Sequence, residues 1–231
     1  MKLILTCEHG GNSIPIEFFE YFKKHQSVLN SHRGLDIGSL DLFHSLKPLS
    51  DFSLYSEISR LLIELNRSLH HNALFSDFSK NLSKADKEKL INSYYLVYRN
   101  NVENQIRNYI NANEHVLHIS IHSFTPILNN NLRNCDIGLL YDSRLSSEKQ
   151  WSKNLKLSIL KSNPNYNIRF NYPYLGKADG FTTYLRRQFP SNYLGIELEI
   201  NQKFAKANMM SSRIKRDLFS ALYLTINKEH P

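Results

Sequence analysis

The chain has 231 residues, 41% of them hydrophobic, which suits one domain with a large core. Its 29 Lys and Arg against 21 Asp and Glu give a net charge of +8, but the basic residues are spread along the chain with no long basic block, as on a solvated surface. Two cysteines, Cys7 and Cys135, make no disulfide framework, and no apolar run approaches the ~20 residues that span a membrane. Leu3-Ile4-Leu5 is too short for the apolar region of a signal peptide, so a soluble protein in the reducing cytoplasm is expected.

Strands and helices alternate along the sequence. "LILTC" (3–7) reads as a strand entering a turn at Gly10-Gly11, and Pro15 opens a helix to about Lys24. Residues 36 to 46 fit a second helix, with Ile37, Leu40, Phe43 and Leu46 on one side and Pro48 beyond its end. "SLYSE" (53–57) reads as a short strand. Ser83 followed by Asp86 is a helix-start signal. After it, Leu90, Ile91, Tyr94, Val97, Tyr98, Val102, Ile106, Tyr109 and Ile110 keep the spacing of one long amphipathic helix.

"VLHISIHS" (116–123) and "DIGLLYD" (136–142) read as strands, with an asparagine-rich loop between them at 129–134. Ser147 with Gln150 opens a helix carrying Trp151, Leu155 and Ile159. "NIRFNYP" (167–173) is extended, "GFTTYLRRQF" (180–189) helical, and "YLGIELEIN" (193–201) the last strand. A closing helix from about Ala207 to Ile226 turns Met210, Ile214, Leu218, Ala221 and Leu222 inward. This alternation predicts an α/β fold with helices covering a mostly parallel sheet. In such sheets ligands gather beyond the carboxyl ends of the strands.

Three strand ends carry groups that could do chemistry. The first is Cys7-Glu8-His9, and the second is His122-Ser123. The last strand sets Glu197, Glu199 and Asn201 on one face, against an apolar stripe of Leu194, Ile196, Leu198 and Ile200. Carboxylates pointing inward from a central strand need partners or a metal. Catalytic zinc takes three protein ligands and leaves a fourth position open. His9 and His122 are two candidates, and Asp36 in "SHRGLDIGS" is the third. A late-strand carboxylate is then the general base. In "SRLLIELNRS" (59–68), Arg60 and the adjacent Asn66 and Arg67 could hold a carboxylate. The alternative is a surface arginine paired to Glu64 or Glu57.

His118 shares the face of His122 but lies deeper, where a packed core histidine is expected. His32 is either a neighbour of Asp36 or a loop residue, and His70-His71 face solvent. Cys7 reads as a buried small hydrophobe rather than a nucleophile. Thr182, Thr183 and Arg186 either close over a substrate or start a helix.

"CEHGGNSIP", "SHRGLDIGS", "SRLLIELNRS", "SIHSFTP", "DIGLLYD", "YPYLGKADGFTTYLR" and "GIELEINQ" resemble, in this order, the N-formylglutamate amidohydrolase family. The resemblance runs from residue 6 to about 202. It implies a three-layer α/β/α sandwich of the phosphorylase/hydrolase-like, zinc-exopeptidase-like type, formed by the whole chain as one domain with a central mixed, mostly parallel sheet. It implies hydrolysis of N-formyl-L-glutamate, or a similar N-acyl acidic amino acid, to formate and glutamate, the last step of one route of histidine degradation. It also implies one Zn2+ ion held by His9, Asp36 and His122, with Glu8 as a rival to Asp36, and Glu199 as base. Asn66 and Arg67 would grip the α-carboxylate, and Arg33 or Arg60 would stabilise the oxyanion. Many relatives carry Arg where this chain has Asn201, which affects how a second carboxylate is held. The alternatives are a zinc N-acylamino acid or cell-wall-type amidase, or a non-catalytic small-acid-binding module. No nucleic-acid or membrane partner is expected.

Overall fold

The computed structural model describes residues 1–228. Its strands are β1 (Lys2–Cys7), β2 (Phe52–Tyr55), β3 (Val116–Phe124), β4 (Ile127–Leu128), β5 (Asn131–Leu132), β6 (Ile137–Leu140), β7 (Ile168–Phe170), β8 (Tyr193–Asn201), β9 (Ala205–Lys206) and β10 (Met209–Met210). Its α-helices are α1 (Gln26–Leu29), α2 (Ser39–Leu46), α3 (Lys84–Leu90), α4 (Leu96–Asn111), α5 (Ser146–Ser162), α6 (Phe181–Gln188) and α7 (Ser212–Lys228). Six strands form the central sheet in the order β2-β1-β3-β8-β6-β7. β2, β1, β3 and β8 run parallel; β6 is antiparallel to β8 and parallel to β7. The four parallel strands therefore end on one edge of the sheet.

The alternation of side chains along each strand builds two cores. Leu117, Ile119 and Ile121 of β3 and Ile196, Leu198 and Ile200 of β8 face Leu42, Phe43 and Leu46 of α2, Trp151 and Leu155 of α5, and Ile214 and Leu218 of α7. On the other face Ile4 and Val116 meet Leu90, Tyr98, Val102, Ile106, Phe181 and Leu185, together with residues 61–65. The mixed sheet with helices on both faces is the α/β architecture that the alternating pattern predicts. Among the described residues, no helix is long and apolar enough to cross a membrane.

Several elements differ from the sequence-based expectation. Residues 16–21 form a 3-10 helix in place of an α-helix, and Asp36 precedes α2, which begins at Ser39. Ser147 and Gln150 supply no cap for α5: its N-cap residue is Leu145, with no side-chain bond. Ser83 does cap α3, accepting from the Asp86 amide at 3.1 Å. The asparagine-rich loop is a tight hairpin between β4 and β5, with Asn129 and Asn130 at φ of 49° and 62°. Asparagine tolerates that left-handed backbone. The closing helix starts five residues later than expected, because Ala207 and Asn208 also take positive φ and reverse the chain between β9 and β10. The long helix is interrupted by a π-turn at Ile91–Tyr95. One extra residue in that turn rotates the helix beyond it. Val97 is thus 58% exposed, while Tyr95 and Arg99 are buried.

One buried ion pair ties the helices to β8. Glu148 of α5 accepts from Arg186 of α6 at 2.8 Å, from the Gly195 amide at 2.9 Å, and from the Asp142 amide at 2.8 Å. Arg186 also donates to the carbonyls of Gly176 and Gly195, both at 2.7 Å, so it holds the frame and does not face a substrate. Glu148→Ala leaves the guanidinium and two amides without their acceptor. It should lower stability by about 3–5 kcal/mol, read as a shift of the denaturant midpoint with an unchanged slope.

Candidate metal and hydrolase site

The carboxyl ends of β1, β3 and β8 meet at a cleft of about 300 Å3. His9 follows β1 by two residues. His122 lies near the end of β3, and its neighbour across the ladder is Glu199 of β8, as Ser120 faces Glu197. Asp36 arrives from the segment before α2. Two glycines let it in: a Cβ on Gly34 would lie 2.1 Å from the Leu29 carbonyl oxygen, and Gly38 has φ of +81°. Backbone bonds then hold it. The Asp36 amide donates to the His9 carbonyl at 3.0 Å, and Ser39 Oγ donates to the Asp36 carbonyl at 2.7 Å.

Asp36 Oδ2 is the meeting point. It lies 2.9 Å from His122 Nδ1 and 3.3 Å from His9 Nδ1, and all three residues are buried. One donor atom from each lies within 4.8 Å of the others. The second nitrogen of each imidazole is also held by a carboxylate. His9 Nε2 pairs with Glu64 Oε1. His122 Nε2 contacts Ser120 Oγ at 2.8 Å and Glu8 Oε2 at 3.3 Å, while Ser120 donates to that same Glu8 oxygen at 2.5 Å. Such outer carboxylates fix the tautomer that turns the other nitrogen toward a cation. Glu8 is thereby on the far side of His122 from Asp36, bonded also to Tyr98 Oη at 3.1 Å, and lies outside the His9, Asp36 and His122 group.

The electrostatics come from burial. Desolvation opposes the charge of Glu8, but the hydrogen bond and charge of His122 and the hydroxyl of Ser120 hold its pKa far below the ordinary range. Burial likewise opposes charge on Asp36, and His9, His122 and Arg60 outweigh it. Glu64 is held low against its burial by Arg60 and His9. For His122, burial works against protonation, yet Asp36 and Glu8 keep its pKa well above the usual imidazole value. Glu199 has no such partner. Burial pushes its carboxyl up to about 8; His122 offsets part of this, and Asp36 and Glu197 add to it. Its Oε2 is a buried oxygen with no hydrogen-bond partner. Four buried carboxylates therefore surround two imidazoles, and the acid beside them has an oxygen unmatched. Two imidazole nitrogens, one carboxylate oxygen and an unpaired carboxylate next to them fit a divalent cation with an open position.

Other predicted residues divide into those on the cleft and those away from it. Arg60, Asn66 and Arg67 line it. Arg60 is 29% exposed on its side chain, so it is no surface arginine; it bonds Glu64 at 2.6 and 2.9 Å and Asp36 at 3.2 Å. The Asn66 amide oxygen accepts from the Phe181 amide at 2.7 Å, and its NH2 group lies 3.4 Å from His122 Nε2 with a second N–H to donate. Arg67 donates through one nitrogen to the Asp179 carbonyl. Arg33 is not brought in: it is exposed and lies over the Phe78 ring, 5.7 Å from its centroid. Asn201 is likewise away from the cleft, its amide donating to the Cys135 carbonyl at 2.8 Å and accepting from the Lys203 amide at 2.9 Å. His32 is exposed but lines the cleft; His70 and His71 do not. His118 bridges Thr6 and Tyr193, both at 2.8 Å, and burial lowers its pKa to about 4, so it is a neutral core histidine. Cys7 is buried, and desolvation raises its thiol to about 12.

Tyr174, Leu175, Ala178 and Asp179, from the "YPYLGKADGFTTYLR" motif but given no role by the sequence, complete the wall together with Phe124, Thr125 and Leu128. Glu64 was visible only as a partner for Arg60 at a spacing of four. Its contact with His9 spans 55 residues of sequence.

The model of the N-formylglutamate amidohydrolase family matches residues 1–205. The chain belongs to the N-formylglutamate amidohydrolase family. Among solved structures, gene product Atu2144 from Agrobacterium tumefaciens is similar over 100% of this chain and 92% of its own, at 22% identity and a TM-score of 0.83. The N-formylglutamate amidohydrolase from Ralstonia eutropha JMP134 is similar over 98% of this chain and 93% of its own, at 16% identity and a TM-score of 0.73. At these identities the two share the fold. No curated protein matches in sequence. As a member of this amidohydrolase family, the chain has the fold of an amide hydrolase with its candidate site at the carboxyl edge of the sheet.

The raised Glu199 carboxyl sets a pH test on metal-free protein. A carboxyl whose folded pKa, about 8, exceeds its unfolded value, 4.5, adds stability at low pH that is lost as pH rises between the two. Glu199→Gln stays neutral throughout. The variant should therefore melt at a higher temperature than the parent at pH 8, with the gap closing toward pH 5. Thermal melts in chelator at a series of pH values measure this.

Proposed function

We propose that the protein is a zinc-dependent amidohydrolase that removes the formyl group from N-formyl-L-glutamate or a closely similar N-acyl acidic amino acid. The observation that carries this reading is the convergence of His9, Asp36 and His122 beside the unpaired oxygen of Glu199. Family membership supports the reaction class. The two unpaired, buried cysteines suit a reducing compartment such as the cytoplasm. The products, formate and glutamate, are those of the closing step of one route of histidine breakdown.

His9 Nδ1, Asp36 Oδ2 and His122 Nδ1 would hold the ion. When bound, a divalent cation supplies a Lewis acid for the amide carbonyl and acidifies the attacking water. Glu64 and Glu8 keep the two imidazoles turned toward it. Glu199 accepts the proton of the attacking water and delivers it to the departing amine nitrogen. Its buried oxygen without a hydrogen-bond partner, beside His122 on the neighbouring strand, suits both halves of that transfer. Arg60, though engaged with Glu64 and Asp36, lines the cleft and adds positive charge where the carbonyl oxygen gains negative charge. The Asn66 NH2 group and the remaining N–H groups of Arg67 bind the α-carboxylate, which orients the amide.

The deciding experiment offers the zinc-loaded protein a panel of N-formyl, N-acetyl and N-succinyl amino acids. Release of formate from N-formyl-L-glutamate is expected; no hydrolysis of any amide in the panel would overturn the reading and favour a binding module. Glu199→Gln should keep about one metal per chain yet lose about 100- to 10,000-fold in kcat. Loss of the metal instead would make Glu199 a ligand. Arg67→Ala should act mainly on KM, raising it about 10-fold or more as a charge-assisted pair is lost.

A further inference from the structure

The π-turn at Ile91–Tyr95 points three buried side chains, Tyr95, Tyr98 and Arg99, at the underside of the site. Tyr98 bonds Glu8, the support of His122. Tyr95 and Arg99, four residues apart and so on one face of the helix, turn to the "LNRS" segment. Arg99 is 4% exposed, and among the described residues no carboxylate pairs with it. Its guanidinium lies instead against three rings, with centroids at 4.9 Å (Tyr95), 4.3 Å (Phe181) and 4.6 Å (Tyr184). A buried cation without an anion is costly to keep. Aromatic faces offset part of that cost, and two backbone carbonyls accept hydrogen bonds from it. Arg99 Nη1 donates to the Leu65 carbonyl at 3.0 Å and to the Arg67 carbonyl at 3.2 Å. Tyr95 Oη donates to the same Arg67 carbonyl at 2.7 Å.

These acceptors flank Asn66 on both sides. The backbone of residues 65–67 is thus gripped from the core side, while the side chains of Asn66 and Arg67 line the cleft. Arg99 therefore spends its charge on two neutral carbonyls that belong to the segment facing the ligand. From this we infer that Tyr95 and Arg99 are positioning residues for recognition of the substrate carboxylate. They fix the backbone of Asn66 and Arg67 before the ligand arrives, so that binding does not have to order the segment. The inference rests on the reading that Asn66 and Arg67 bind that carboxylate.

The test uses zinc-loaded protein and two readouts, calorimetric binding of the product L-glutamate and steady-state kinetics on N-formyl-L-glutamate. Tyr95→Phe keeps the ring against Arg99 and removes one donor. It should weaken glutamate binding about 3- to 10-fold, the scale of one hydrogen bond, with the kinetic loss falling on KM more than on kcat and bound zinc retained. Arg99→Met should weaken binding further, and Arg99→Lys, which restores a cation within the rings, should recover part of that loss. If Arg99→Met does not fold, Tyr95→Phe decides alone. Glutamate binding by Tyr95→Phe equal to the parent's, or a fall in kcat at constant KM, overturns the positioning role. Failure of the parent itself to bind glutamate or any N-formyl acidic amino acid overturns the carboxylate reading, and the positioning role falls with it. The two failures are told apart by which protein shows them.

Discussion

Everything at this site depends on the meeting of Asp36 Oδ2 with the Nδ1 atoms of His9 and His122 in a buried place. Removing three ionisable groups from water is unfavourable unless each finds a partner. The surroundings supply partners in layers. Glu64 and Glu8 take the outer imidazole nitrogens; Arg60 ties Glu64 to Asp36; Ser120 and Tyr98 satisfy Glu8. Glu199 stands next to this network without joining it, and that is why its carboxyl holds a proton that Glu8, Asp36 and Glu64 give up.

The sheet makes the meeting possible. β1, β3 and β8 are parallel neighbours, so the groups at their carboxyl ends arrive at one edge with a spacing set by the strand ladder. Ladder register pairs His122 with Glu199 and Ser120 with Glu197, which puts proposed ligand and proposed base on adjacent strands and one face. The remaining residues come from connections: Asp36 from the segment before α2, and Asn66 and Arg67 from a stretch with no regular structure. Irregular stretches of this kind need anchoring. Asp36 has it from glycine-permitted close packing and serine bonds, and residues 65–67 have it from Tyr95, Arg99, Phe181 and Asp179. The buried Glu148–Arg186 pair does the same for the far side, linking α5 and α6 to β8.

Part of this was legible residue by residue. The polar face of "HISIHS" announced a strand with a task, and the strand's depth separated His118 from His122. The alternation of "GIELEIN" marked Glu197 and Glu199 as inward carboxylates. Signals of this sort are local, because strand alternation and strand ends are local properties. Arg33 and Asn201 show the limit. Both sit in segments next to site residues, yet Arg33 turns to Phe78 and Asn201 closes onto the Cys135 carbonyl. Near neighbours in sequence can face opposite ways, and only packing decides between them. The helix at 84–111 shows a second limit. Its apolar spacing pointed Val97 inward, but one extra residue in a π-turn shifted the phase and brought Tyr95 and Arg99 into the core.

The alternation of strands and helices, the carboxyl-edge location of the candidate site, and the residue types that gather there can all be read from the order of amino acids. These come from periodicity, chain direction and motif, which any short window carries. Tertiary structure alone decided which atoms face one another. Glu64 became the partner of His9 across 55 residues, and Glu8 a partner of His122 on the side away from Asp36. Arg99 became a caged cation gripping the backbone beside Asn66. Each of these is a long-range contact selected by the cost of leaving a buried charge unmatched, and that cost exists only once the chain has closed around it.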